Sequence, residues 1–158
     1  MKAILLAVAF LAAAACSSAP DASPSPTPAP TPSGPLLTLT MRGGLCVPGA
    51  CETTYYVEQD GRVHLAAKPP NELGYLDEAV LAELKARIAA ADFADIRSHP
   101  FTGTCPTAFD GAELVLEFAA PGGTQQIASC EVAIDWNAPV FAVVAIAFEP
   151  VLGQLTRF

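Results

Sequence analysis

The residues best suited to chemistry are concentrated between positions 99 and 111. His99, Cys105 and Asp110 lie in this segment, and they are the residue types of a base, a nucleophile and an orienting carboxylate. The segment is also rich in proline and glycine, which favours a second interpretation, a loop whose side chains contact a ligand. The residues expected to do so are His99, Phe101, Thr102, Thr104, Thr107, Phe109 and Asp110.

The amino terminus resembles the signal sequence of a bacterial lipoprotein. Lys2 precedes an apolar run over residues 3–15, which ends in three alanines directly before Cys16. The resemblance implies export, cleavage before Cys16 and acylation of Cys16 with diacylglycerol and a chain such as palmitate. Ala13 stands where leucine is more usual. Secretion with a free Cys16 and an uncleaved anchor are the alternatives, but a membrane helix needs about 20 apolar residues.

Composition bears on partners and on domain organisation. The formal net charge of −8 repels phosphate backbones, so we expect no nucleic-acid partner and membrane contact only through acylated Cys16. We expect residues 1–15 to be the signal peptide, 16–35 a lipidated tether and 36–158 one globular domain. The tether is rich in proline, serine and threonine, a composition typical of a polyproline II spacer.

Within the domain, alternating residues predict strands. Segments 53–58 and 62–66 flank Asp60-Gly61, a hairpin turn signal. A strand over 112–118 is followed by Pro121-Gly122-Gly123 and a returning strand. We expect the wholly apolar set of that returning strand to face the core, which places Ala128 opposite Leu116 and Cys130 opposite Leu114. Ala120 then pairs with Thr124 across a three-residue loop.

Two helices are expected on one face of this sheet. Asp77 can cap a helix that runs to about Ala91, with one apolar face. Pro139 can begin a second helix through Phe148, whose charge-free residues 140–148 form either core or an apolar partner face. The predicted fold class is α+β, with about five mostly antiparallel strands.

Cysteine usage predicts two disulfides. Five cysteines are present, and four remain after acylation of Cys16, an even number typical of exported domains. A Pro-Gly turn between Cys46 and Cys51 brings these two together, which leaves Cys105 to pair with Cys130. Four residues separate Cys46 from Cys51, whereas thioredoxin-type redox motifs have two.

No residue set has the spacing of a metal or phosphate site. His64 and His99 are the only histidines and lie on different predicted elements. Asp92 and Asp95 could share calcium, but the calcium-loop pattern is absent. We therefore expect no metal, no cofactor and no catalytic residue.

The body of the domain, residues 39–118, is similar to small exported bacterial domains. These combine a Gly/Cys/Pro turn, a Tyr/Val hairpin and a helix ending in Asp-Phe, all of which recur here. No activity is assigned to such domains, so the resemblance implies none. We expect an envelope lipoprotein on the cell membrane or outer membrane, facing the periplasm or exterior. It would serve as a non-enzymatic binding or structural module. The alternative is a small envelope enzyme or thiol oxidoreductase using Cys105 with His99 and Asp110.

Overall fold

The structure is a computed structural model, and it describes residues 34–44 and 51–149. All described residues lie in one compact unit. The predicted signal peptide, Cys16, most of the predicted tether and Cys46 lie outside these ranges. What is said of them remains a prediction.

The described part of the chain forms one antiparallel sheet of six strands. These are β1 (Leu37–Gly43), β2 (Glu52–Val57), β3 (Arg62–Leu65), β4 (Asn71–Tyr75), β5 (Ala112–Ala120) and β6 (Gly123–Ala128), in the order β4-β3-β2-β1-β5-β6. The predicted α+β class is confirmed, with one strand more than the expected five. Sequence alternation located β2, β3, β5 and β6. The central strand β1 and the edge strand β4 complete the sheet.

Three helices accompany the sheet: α1 (Glu78–Ala90), α2 (Phe93–Arg97) and α3 (Pro139–Ala147). Helices α1 and α3 begin where the sequence predicts them, although the side chain of Asp77 makes no capping hydrogen bond. The short helix α2 was not predicted. The carboxylate of Asp92 caps it by accepting the backbone N–H groups of Ala94 and Asp95, the usual role of an N-terminal aspartate.

All three helices pack on the same face of the sheet, around Phe118. Phe118 of β5 is fully buried, and its ring contacts Phe93 of α2 and Phe141 of α3 at centroid distances of 5.2 and 6.3 Å. Helix α1 adds Leu84 and Ile88 to the same cluster. The predicted helix pair on one face is therefore present, and residues 140–148 belong mainly to the core.

The turn of the β2–β3 hairpin contains Asp60 and Gly61, as predicted. The backbone N–H of Arg62 donates to Asp60 at 3.2 Å, and its Nε donates at 2.9 Å. The hydrogen bond from the Arg62 backbone N–H makes the largest contribution to lowering the pKa of the Asp60 carboxyl, and the hydrogen bond from Arg62 Nε lowers it further. These two hydrogen bonds therefore stabilise the fold at pH values above the pKa of an ordinary carboxyl. This stabilisation is lost as the pH falls through the lowered pKa of Asp60 in the folded protein.

The β5–β6 hairpin differs from prediction by one residue. Leu116 lies opposite Ile127, and Ala120 lies opposite Gly123, so Pro121-Gly122 is a two-residue turn. Because side chains alternate between faces, this shift brings Ile127 to the core face, where it is 1% exposed. The predicted pairing of Ala120 with Thr124, and of Leu116 with Ala128, is wrong.

The position predicted for Cys130 is wrong for a related reason. Strand β6 ends at Ala128, and the residue facing Leu114 is Ser129, whose N–H donates to the Leu114 carbonyl at 2.8 Å. The chain then turns, so the pleat does not continue to Cys130. Cys130 is half-buried at the margin of the core.

The second face of the sheet carries no described helix, and we call it the helix-free face. Cross-strand partners on it include Thr38, Tyr56 and His64, with Glu117 on β5. Among the described residues, no helix is both long and apolar enough to cross a membrane.

Candidate functional site

Loop 99–111 begins with a short bridge that fixes it to the chain after β6. The backbone N–H of Phe101 donates to Glu131 at 2.9 Å, and that of Ala133 donates to His99 at 2.9 Å. Pro100 and Val132 form an isolated antiparallel bridge between these bonds. The first residues of the loop therefore have a set position relative to the core, because Val132 is buried.

The middle of the loop is held by a disulfide. Cys105 is bonded to Cys130 with a Cα–Cα distance of 5.1 Å, which confirms this predicted pair. A 3₁₀ helix, Pro106–Phe109, follows Cys105 directly. The hydroxyl of Thr107 donates to the Cys105 sulfur, with 3.1 Å between Oγ1 and Sγ. The other predicted bridge includes Cys46, which lies outside the described residues. Cys51 does not carry a free thiol, but its pairing with Cys46 stays a prediction.

The end of the loop is a tight turn into β5. Asp110 adopts a left-handed conformation with φ of 60°, and the N–H of Gly111 donates to the Pro106 carbonyl at 2.8 Å. Thr107 reaches β1 from this turn, since a Cβ on Gly43 would lie 2.6 Å from its Cγ2. Only glycine at position 43 allows this approach. Phe109 therefore stands on a turn held by these contacts, and it is 76% exposed.

Most of the predicted contact residues are at the surface. The exposed ones are His99, Thr102, Thr104, Thr107, Phe109 and Asp110. Phe101 differs from them, because it is half-buried and its ring lies against Gly103. The Phe101 side chain therefore packs inside the loop. The loop can thus present one large aromatic side chain among hydroxyl groups.

The residues of the catalytic alternative are not joined by hydrogen bonds in the described part of the chain. Cys105 has its sulfur in the disulfide and so offers no thiol. His99 Nδ1 lies 2.9 Å from the Asp95 carbonyl and 3.4 Å from Ser98 Oγ. Its ring is therefore oriented by the end of α2, on a different element from Asp110. A reaction with Cys105 as nucleophile would first require reduction of the bridge.

A cleft of about 480 Å³ adjoins the loop at the end of β1, and it is lined by Arg42, Gly43, Cys51, Glu52, Thr107 and Glu113. Arg42 Nε donates to Glu113 Oε2 at 2.6 Å. Glu113 is only 8% exposed. This hydrogen bond, with the charge of Glu113, raises the pKa of Arg42. Arg42 therefore stays cationic and balances the buried carboxylate, while its own side chain remains half exposed to the cleft.

Sequence reasoning missed the Arg42–Glu113 pair. Glu113 alternates with apolar residues in β5, and this local pattern alone does not place it beside Arg42. The signal that could have located the pair is the register, since Arg42 lies between Glu52 and Glu113 on its two neighbouring strands. That register requires knowing that β1 separates β2 from β5.

Metal ligation has no support in residues 34–44 and 51–149. No three residues among His, Cys, Asp and Glu come together there in a way that could hold an ion. Asp92 and Asp95, the calcium alternative, form the first turn of α2, where Asp92 is the helix cap.

No protein-family model matches the sequence, and no curated protein matches it either. Function is therefore argued from the chain itself.

Proposed function

We propose that the protein is an exported, lipid-anchored envelope protein whose domain binds a partner through loop 99–111. The observation that carries the proposal is the exposure of Phe109, at 76%, on a turn fixed by a disulfide and backbone hydrogen bonds. An aromatic side chain has few rotatable bonds and so loses little conformational entropy when a partner covers it, and aromatic residues are enriched at interfaces.

The signal sequence and the tether support the anchored location. Acyl chains on Cys16 would hold the protein on a membrane surface, and a polyproline II tether would separate the domain from it. The net charge of −8 favours partners with a positively charged surface, through steering and complementarity. An envelope protein with a basic rim around an apolar pocket would fit Phe109 and Asp110.

Phe109→Ala tests the binding site. Immobilised wild-type protein and variant are compared for capture from envelope extracts, and the captured material is measured by quantitative mass spectrometry. We expect Phe109→Ala, like replacement of the whole loop, to reduce capture at least tenfold, since central aromatic anchors contribute about 2 kcal/mol or more.

Tyr75→Ala provides the matched control. Tyr75 lies on the edge strand β4, distant in the sheet order from β5, and is 67% exposed. Its truncation should leave capture unchanged. If the same partners survive both substitutions, or if none is captured, binding through loop 99–111 is refuted.

The second candidate function is a thiol oxidoreductase, and one observation favours it. Cys105 and Cys130 are both half-buried, so the bridge is accessible enough for exchange with another thiol. We predict that it is structural and stays closed. Peptide mapping without reduction, on protein isolated from the envelope, should recover Cys105–Cys130 and Cys46–Cys51. Free thiols on Cys105 and Cys130 would favour the oxidoreductase.

A further inference from the structure

Strand β4 is an open edge of the sheet. It pairs with β3 on one side, and the sheet order places no described strand on its other side. Four of its five residues are exposed, and Gly74 is half-buried. The outward N–H and C=O groups of an edge strand form a ready template for pairing with another strand.

Large apolar side chains are exposed on this edge. Leu73 is 49% exposed and Tyr75 is 67% exposed, and β4 carries one charge, at Glu72, and no proline. The ladder between β3 and β4 shifts at Val63/His64, so Leu73 has no cross-strand partner in β3. Leu73 is therefore an apolar edge residue that its own sheet neither covers nor pairs.

The charges that flank β4 are opposite in sign at its two ends. Lys68 precedes the strand, and Asp77 and Glu78 follow it. All three residues are exposed, and none of them forms an ion pair within the described residues. Asp77 occupies the cap position of α1, yet its carboxylate makes no capping hydrogen bond. These three charges are thus available to a partner.

A second copy of β4, paired antiparallel, is complementary to the strand itself. The two-fold axis passes through Leu73, which then lies opposite Leu73 of the second copy. In that register Asn71 lies opposite Tyr75. Glu72 lies opposite Gly74, so the pair avoids the destabilising contact of like charges directly across two strands. An isologous contact of this kind closes after two copies.

The flanking charges select the same arrangement. Antiparallel pairing brings the start of one β4 beside the end of the other, so Lys68 of each copy approaches Glu78 of the second copy. An opposite-charge pair therefore forms at both ends of the contact. A parallel pair would instead place like charges side by side, which electrostatic complementarity disfavours.

We infer that two copies of the chain associate by antiparallel pairing of their β4 strands, with Leu73 on the two-fold axis. The contact joins the two sheets into one continuous sheet. Stable interfaces bury about 1,200 Å² or more, and one strand pair is small by that standard, so the dimer is weak and reversible. The inference is independent of the function of loop 99–111.

Disulfide trapping in intact cells tests the pairing with the full chain. Leu73→Cys places two thiols on directly opposite residues, whose Cα atoms are about 5 Å apart and within disulfide range. Tyr75→Cys is the matched control on the same exposed strand, because its two copies lie four residues out of register, roughly 14 Å at about 3.4 Å per residue. After mild oxidation, a non-reducing gel should show at least ten times more dimer from Leu73→Cys than from Tyr75→Cys.

Two further sets of variants test the register and the charges. Co-expressed Asn71→Cys and Tyr75→Cys chains should form a mixed dimer, since these positions lie opposite each other. In the Leu73→Cys background, Lys68→Glu should reduce the dimer at least threefold. Adding Glu78→Lys should restore it, because exchange of both charges rebuilds the pair at each end.

Three results would overturn the inference. The first is no dimer above the wild-type background from Leu73→Cys and no mixed dimer from the co-expressed chains. The second is an equal yield from Leu73→Cys and Tyr75→Cys, which would show random collision. The third is a yield that Lys68→Glu leaves unchanged. Peptide mapping of the dimer should locate the new bond between the introduced cysteines, and an intact Cys105–Cys130 bridge in the same map establishes that each variant is folded.

Discussion

Cys16→Ala should move the protein completely from the detergent-rich phase to the aqueous phase when expressed cells are extracted by detergent partitioning. Each buried methylene contributes about 0.8 kcal/mol, so two or more acyl chains hold a protein on a bilayer almost permanently. The net charge of −8 makes electrostatic attraction to acidic lipids unfavourable, so the acyl chains supply the membrane contact in this account.

Ser18→Ala is the matched control for the anchor, because it changes a neighbouring residue without removing the thiol. It should leave the protein in the detergent-rich phase. A wild-type protein that already partitions into the aqueous phase, unchanged by Cys16→Ala, would contradict lipid attachment at Cys16.

Phe118→Ala should strongly destabilise the domain. Phe118 is fully buried and joins β5 to both α2 and α3 through its ring contacts. Its removal leaves a cavity between sheet and helices, and such truncations cost about 3–5 kcal/mol. Chemical denaturation of wild type and variant measures the loss in the free energy of unfolding.

Phe109→Ala is the same chemical change at a surface position and so serves as the control for the core. Phe109 is 76% exposed, and surface substitutions usually change stability by less than about 0.5 kcal/mol. An equal loss in the free energy of unfolding in Phe118→Ala and Phe109→Ala would contradict the packing described here. The contrast also matters for function, since an unfolded Phe109 variant could not report on binding.

Sequence patterns predicted those parts of the fold that local chemistry determines. The β2–β3 turn follows from Asp60-Gly61, and α3 begins at Pro139, as expected. Strand β1 was missed because it is central and pairs with β2 and β5, which are distant in sequence from each other. The β5–β6 register failed because two turns, of two or three residues, fit the same Pro-Gly-Gly sequence. Only the packing of Ile127 decides between them.

The candidate site was predictable in outline. The proline and glycine residues and Cys105 predict, from the sequence alone, a loop held by a disulfide. The predicted Cys105–Cys130 bridge is present. Three features needed the fold: the inward position of Phe101, the burial of Glu113 beside Arg42, and the orientation of His99 by Asp95. Each depends on contacts between elements that no local pattern encodes.

Photo-crosslinking at position 109 in intact cells tests the central proposal most directly. A photoreactive phenylalanine analogue replaces Phe109 in one strain and Ala86 in another, since Ala86 is an exposed residue of α1. Irradiation should give a discrete adduct of higher mass from position 109 and none from position 86. No adduct at 109, or the same adduct at both positions, would contradict binding through loop 99–111.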